Sequence, residues 1–397
     1  MLQLGNGRLT VICAATALWA FSFGLGSQSV THWLRAHGES ESVIGLNHSF
    51  YYLGLAVASF AVPTLARRFG LLACSVGGLF ASGLTLAVFP CVDVVWAGYV
   101  LRFANGCAGA LSLVPLETIV SRYSPTMHKA RNFACYCVAL TLGGALGIGS
   151  GLGLLEATAA WIFPLGGCTA ILAAGAIGAG LKVPFDNSHE AEITSVLDWR
   201  ANYLSFGTAW CQGFLEGGML AFLSSFLIGA RGFSAETTGL LMGATMVGVI
   251  LCQVPVSWFA DRWGKTPTLL LCYAVVAVGL LAMPLLTDSI ALASVLFCFG
   301  ACSGAMYPLG LALLGERTSE AGLARAYAWY LAIECIGSQL GAAAMGQARD
   351  LWGESAMFPV GLVAVVGVLA GWLVIVFTNS ASSAAVPVAN EDQRRVA

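Results

Sequence analysis

The sequence predicts an all-α polytopic membrane protein, with twelve transmembrane helices in two pseudo-symmetric six-helix bundles. Three observations carry this. The chain is 58% hydrophobic and only 10% charged, where soluble domains are about a quarter charged. Its apolar residues gather into segments of roughly 20, the length of helix that crosses a bilayer core. Finally, the chain repeats itself. Residues 130–136 read Ala-Arg-Asn-Phe-Ala-Cys-Tyr, and residues 324–330, 194 positions later, read Ala-Arg-Ala-Tyr-Ala-Trp-Tyr. The same offset pairs Gly54 with Gly248, Arg68 and Gly70 with Arg262 and Gly264, Gly106 with Gly300, and Gly143 and Gly147 with Gly337 and Gly341. It holds from about residue 36 to residue 151. A duplicated apolar unit points to a transporter built about a pseudo-two-fold axis.

In chain order the spans fall at about 9–33, 43–65, 71–89, 95–120, 132–155 and 159–181, then 201–229, 237–259, 268–286, 290–314, 324–347 and 356–377. The predicted organisation is an N-terminal bundle over 1–181, a polar connector over 182–200, a C-terminal bundle over 201–378 and a disordered tail over 379–397. The stretch after Arg8 is too long for the apolar core of a signal peptide and reads as the first span. Gly143-x3-Gly147-x3-Gly151 and Gly337-x3-Gly341 form small-residue ridges that let helices approach closely. Pro115 and Pro308 interrupt the hydrogen-bond ladder of spans 4 and 10.

Charge placement orients the chain. Of the 18 Lys and Arg, fourteen fall on one set of loops and tails, three (Arg35, Arg231 and Arg349) on the other, and Arg102 inside a span. The positive-inside rule places both termini in the cytoplasm. The 13 Cys are scattered without zinc-ligand spacing. No Walker loop, dinucleotide fingerprint or nucleophile elbow is present. Enzymatic chemistry, cofactors, metals and nucleic acid are therefore not expected. The expected partners are the lipid bilayer, a small-molecule substrate and protons, and the expected state is a monomer.

The loop between spans 8 and 9 reads Ser257-Trp258-Phe259-Ala260-Asp261-Arg262-Trp263-Gly264-Lys265. It resembles the Gly-x3-Asp-Arg-x-Gly-Arg signature of the major facilitator superfamily, with Ser257 at the first glycine. The corresponding loop between spans 2 and 3 departs from that pattern: Arg67 stands for the acid and Pro63 for the glycine, while Arg68 and Gly70 remain. Arg102-x3-Gly106-x2-Gly109 is similar to the superfamily's span-4 motif with its membrane-embedded arginine. Arg102 through Glu117, Ala130-Arg131 and Tyr307-Pro308 through Glu316-Arg317 look like the bacterial branch of the YcaD-type transporters. The resemblance implies the major facilitator fold, alternating access, and a cavity lined by spans 1, 4, 7 and 10.

Mid-membrane charges are the candidate site, because each costs at least about 2.5–3.5 kcal/mol to insert. Arg102 lies about seven residues, or about 10 Å, into span 4. It is expected to anchor an anionic substrate group or to tune a proton-carrying carboxylate. Glu216 in span 7 is the candidate proton carrier, with Gln212 and Trp210 expected beside it on the cavity wall. Glu334 in span 11 serves either as an interhelical contact or in transport. Gln28 and Asn105 add polar groups; Trp19 and Tyr307 add aromatic ones. Glu117, Arg67, Arg68 and Arg131 are expected in a cytoplasmic gate with Asp261, Arg262, Gly264, Lys265 and Arg325. In that gate Asp261 is expected against the start of span 11. The predicted function is secondary active transport of a small organic solute, with proton coupling. The alternatives are an efflux antiporter, disfavoured by the missing Gly-Pro step in span 5, and a non-transporting membrane receptor or scaffold.

Overall fold

The structure is a computed structural model that describes residues 6–39, 41–92, 94–181 and 197–384; at some helical positions, Gln28 and residues 152–160 among them, only the backbone is described. Most of the 182–200 connector and of the 379–397 tail lies outside the described residues.

All regular structure among the described residues is helical. The first half holds α1 (Asn6–Ala36), α2 (Glu41–Ser59), α3 (Val62–Phe69), α4 (Leu71–Val88), α5 (Val95–Tyr123) and α6 (Lys129–Gly180). The second holds α7 (Tyr203–Ser225), α8 (Ala235–Trp263), α9 (Lys265–Ala282), α10 (Ser289–Arg317), α11 (Leu323–Trp352) and α12 (Met357–Ala384). One offset of 194 superposes both ends of α4 on α9, of α5 on α10, and of α2 plus α3 on α8. The repeat is thus structural to the residue.

Two departures have local causes. Span 2, expected as one segment over about 43–65, breaks between α2 and α3 with a bend of 56°. Pro63 sits at the start of α3, where its ring and missing N–H would disrupt the ladder to Ser59; the mate position is Ser257, and α8 runs through it unbroken. Spans 5 and 6 share α6, which cannot be straight. Gly143 abuts Ala17 of α1 and Gly180 abuts Val11. A straight helix would separate those glycines by about 55 Å, while their partners on α1 are only about 9 Å apart. α6 therefore folds back as two arms; the first, with the turn before it, spans 126–151 and the second 161–180, both long and apolar enough to span a membrane.

Nine described helices meet that length and apolarity, and two bent pairs bring the number to eleven. α11 makes the twelfth; it carries Arg325, Glu334, Gln339, Arg349 and Asp350, so its apolar content is lower.

Each half is built on glycine seams where one backbone touches another. A Cβ on Gly54 or Gly106 would overlap the carbonyls of Phe103 or Tyr51, joining α2 to α5. Gly248 and Gly300 stand in the same relation to Phe297 and Thr245, joining α8 to α10. Gly143 and Gly147 press on Ala17 and Phe21 of α1, as Gly337 and Gly341 press on Trp210 and Phe214 of α7. In this last pair the partner carbonyls are offset by 193, one residue fewer, because α1 precedes the stretch in which 194 holds. Such approaches require glycine and give close van der Waals packing in a lipid medium.

Between halves, α6 packs on α8, and α11 packs on α2 and α5. One end of the bundle carries the start of α1, the α3–α4 and α8–α9 turns at Gly70 and Gly264, and the loops before α6 and α11. We term it the basic face. Gly70 and Gly264 have φ of 87° and 105°, a left-handed backbone open to glycine, and turn the chain back into the membrane in both copies.

Candidate functional site

The basic face is closed by contacts between halves. Asp261, near the end of α8, accepts hydrogen bonds from the backbone N–H groups of Ala130 and Arg131 at 3.1 and 2.9 Å, capping the start of α6. A carboxylate there meets free N–H groups and the positive end of the helix dipole. Lys265 completes the arrangement. It lies 3.2 Å from Asp261 and 2.6 Å from Glu316, and also donates to the carbonyl of Thr126 across the interface. The side chains of Lys265 and Asp261 are only 6% and 4% exposed, so neither charge can be left alone cheaply. Lys129 donates to the Gly315 carbonyl at 3.0 Å, and Arg122 to the Glu320 carbonyl at 3.1 Å.

This corrects one expectation: Asp261 holds the start of span 5, not of span 11. The α8–α9 turn abuts the opposite half, and the helix start it reaches is that of α6. Arg131 contributes its N–H rather than its guanidinium. Of the other predicted gate residues, Arg262 lies over the Trp258 ring at 3.9 Å and Arg68 over Phe69 at 5.4 Å. Arg67 donates back to Thr64 at 3.2 Å, and Arg325 is exposed.

Glu117 is at the gate, but with a different partner from the arginines expected. It is 1% exposed, and its Oε1 accepts from the Tyr307 hydroxyl of α10 at 3.1 Å. Its Oε2 has no partner among the described residues. A hydrogen bond to a charged group returns about 1.5–3 kcal/mol, while taking an unpaired carboxylate out of water costs several kcal/mol. Tyr307, predicted as a cavity aromatic, is consumed in this contact, with its ring 5.3 Å from that of Tyr330.

Above the gate lies a cleft between the halves. Gly213 abuts the Glu334 backbone, which sets Glu216, one turn further along α7, close to Glu334 of α11. Glu216 is exposed although it lies in the middle of its helix, and Glu334 is partly so. Their carboxylates interact with one another, and both act on Tyr52 of α2. Glu216 therefore faces the other half and not lipid. Gln212 lies beside its carboxylate.

On the facing wall, Arg102 is buried; its Nε donates to Asn47 Oδ1 at 3.2 Å and its guanidinium lies 5.7 Å from the Tyr51 ring. Among the described residues it forms no ion pair, so Arg102 and Glu216 stand on opposite walls unpaired. The Tyr51 ring is 4.8 Å from Phe23, which is 6.1 Å from Trp19.

Several predicted residues lie elsewhere. Asn105 donates to the carbonyl and the hydroxyl of Ser82 and to Thr85, fastening α5 to α4; Trp19 donates to the same Ser82 hydroxyl at 3.1 Å. The side chain of Gln28 is outside the described residues. Trp210 does not share a wall with Gln212 and Glu216. Two residues of helix turn the side chain by about 200°, so Trp210 and Phe214 instead line an apolar groove of about 860 Å³ between α7, α11 and α12. Sequence reasoning missed Tyr51, Tyr52, Tyr136, Tyr327 and Lys129. Lys129 had a signal, since it immediately precedes the repeated Ala-Arg pair.

Comparison with known proteins agrees with this architecture. The family model described as Major Facilitator Superfamily matches residues 9–202 and again 205–396. The uncharacterized MFS-type transporter YfkF of Bacillus subtilis is 23% identical over 318 residues, covering 77% of this chain and 79% of its own. The uncharacterized MFS-type transporter YcaD of Escherichia coli strain UMN026 is 24% identical over 319 residues, covering 78% and 80%. Among solved structures, the MFS transporter FucP in its outward conformation superposes with a TM-score of 0.74 at 14% identity, over 93% of this chain and 98% of that one.

Proposed function

Because the chain belongs to the Major Facilitator Superfamily, we propose that it moves a small organic solute across a bacterial inner membrane, by rocking of its two six-helix halves, with proton coupling. The halves comprise residues 1–181 and 201–378, joined by the 182–200 connector. The basic face is then cytoplasmic, with both termini, and the cleft opens outward. The protein acts as a transporter and not as an enzyme, as a monomer, with no need of nucleic acid.

One observation carries this reading: Glu216 and Glu334 on one wall and Arg102 on the other stand unpaired across a mid-membrane cleft that is latched at one end. Unpaired charges at that depth are costly and mark a pathway. Glu216 is exposed in the cleft and free to exchange a proton with its water; Glu334 holds a like charge close to it, so a proton on either relieves their repulsion. Arg102 supplies the complementary charge for an anionic group of the solute.

The test begins with a thermal-shift screen of the purified protein against sugars, amino acids, carboxylates and nucleosides. A stabilising solute is then used for uptake into proteoliposomes under a pH gradient. Glu216→Gln is expected to abolish proton-driven accumulation while leaving solute exchange. Accumulation unchanged in that variant would overturn the coupling role, and no uptake of any stabilising solute by the wild type would overturn transport itself.

A further inference from the structure

The gate contains a carboxylate that the latch does not use. Glu117 lies six residues before the end of α5, buried where the halves meet. The titratable groups that face it are Tyr307 of α10, Tyr327, Tyr330 and Glu334 of α11, and Tyr136 and Cys137 of α6. Among the described residues α2, α3 and α4 also pack on α5; α3 carries Arg67 and Arg68, but no group of these three helices acts on Glu117. The formal charge that acts on it, among the described residues, is the like charge of Glu334. Glu117 Oε2 and the Tyr136 hydroxyl are buried without a hydrogen-bond partner among the described residues. One tyrosine hydrogen bond does not hold a bare carboxylate in such surroundings, so the neutral acid is the form that fits.

Glu117 is also connected. Counted from the basic-face ends of their helices, Glu117 lies six residues in, Glu334 eleven and Glu216 thirteen; Glu334 interacts electrostatically with both of the others, and both Glu334 and Glu117 act on Tyr330. Three carboxylates, one each from α7, α11 and α5, thus run from the exposed cleft to the closed gate.

We propose that Glu117 carries the coupling proton, loaded from the cleft by way of Glu334 while the gate is closed and released to the basic face when the halves part. This rests on the proton-coupled reading above and moves the site of coupling from the cleft to the gate. In the step itself the carboxylic O–H bond breaks, the proton passes to water admitted by opening, and the electron pair stays on the carboxylate. Water solvates that carboxylate in the open form only. Release therefore favours opening, and by reciprocity each factor of ten in proton concentration shifts the opening equilibrium by the same factor. The sign is fixed: the gate holds at low pH and loosens as pH rises.

The test needs no solute. Hydrogen–deuterium exchange of the full chain in nanodiscs, from pH 6 to pH 9 and corrected for intrinsic exchange, reads protection at residues 124–131 and 318–325. In the wild type, protection at both segments is expected to fall about tenfold per pH unit over part of that range. Glu117→Gln, which cannot ionise, is expected to stay protected throughout. Tyr307→Phe, which removes the one donor to the carboxylate, is a second variant and is expected to shift the pH of the fall while keeping its slope. A wild type with no slope, a Glu117→Gln variant with the wild-type slope, or protection that follows sodium at fixed pH would each overturn the proposal. Loss of the slope in Glu117→Gln with proton-driven uptake intact would overturn this proposal alone. A retained slope in a protein that moves no solute would sink the transport reading and leave the gate proton standing.

Discussion

The start of α6 and the start of α11 are equivalent places in the repeat, and only the first is capped by a carboxylate. Ala130 and Arg131 donate to Asp261; their mates Ala324 and Arg325 meet no such group among the described residues. At the mates of Asp261, Lys265 and Glu316 stand Arg67, Leu71 and Arg122, so both acids have become arginines. The glycine seams beneath are the same in the two halves. Packing was kept under duplication because a Cβ at any seam position strikes a carbonyl. The charges were free to diverge, since one strong cap between halves is enough to close a gate. A latch with one strong and one weak arm can release at the weak arm first.

Removing the strong arm gives the largest expected effect. Asp261→Ala leaves Lys265 buried beside Glu316 only and uncaps α6, and breaking a buried pair costs about 3–5 kcal/mol. Exchange protection at residues 124–131 should collapse in that variant, whereas Arg67→Ala should leave residues 318–325 nearly unchanged. The shared scaffold supplies the control. Gly106→Ala and Gly300→Ala should each lower thermal stability, by about 1–3 kcal/mol for overpacking, and by similar amounts. Strongly unequal losses would show that the two seams are not equivalent. The smallest effect is a gain. Arg67→Asp restores an acid near the start of α11 and should tighten that side by about 0.3–1 kcal/mol, read as higher protection at 318–325.

The repeat and the span count were legible because both depend on residue types with one use. Only glycine makes the seams, and only long apolar runs cross a bilayer. The break at Pro63 was visible as a substitution, though not its 56° consequence, which depends on α3 restarting at an angle. The site was harder to read. The charges Arg102, Glu216, Glu334 and Glu117 announced themselves by depth alone, but their partners did not. Asn47 and Tyr307 lie 55 and 190 residues from the groups they meet, and nothing in local spacing encodes such a contact. Trp210 departs from its expected wall for a simpler reason: two residues of helix separate its face from that of Gln212 by about 200°.

The seams also determine where the molecule can yield. A contact of backbone on backbone has no rotamers to exchange and no side chain to lengthen, so it is stiff in the mechanical sense. All four described seams lie within a half. Between halves, Gly315 is packed instead against the Ser121 side chain, together with aromatic rings such as Phe133 on Tyr327 and Phe60 on Trp329. The protein is thus two rigid plates with a compliant layer between them. Strain introduced anywhere in one plate is passed on to that layer undiminished.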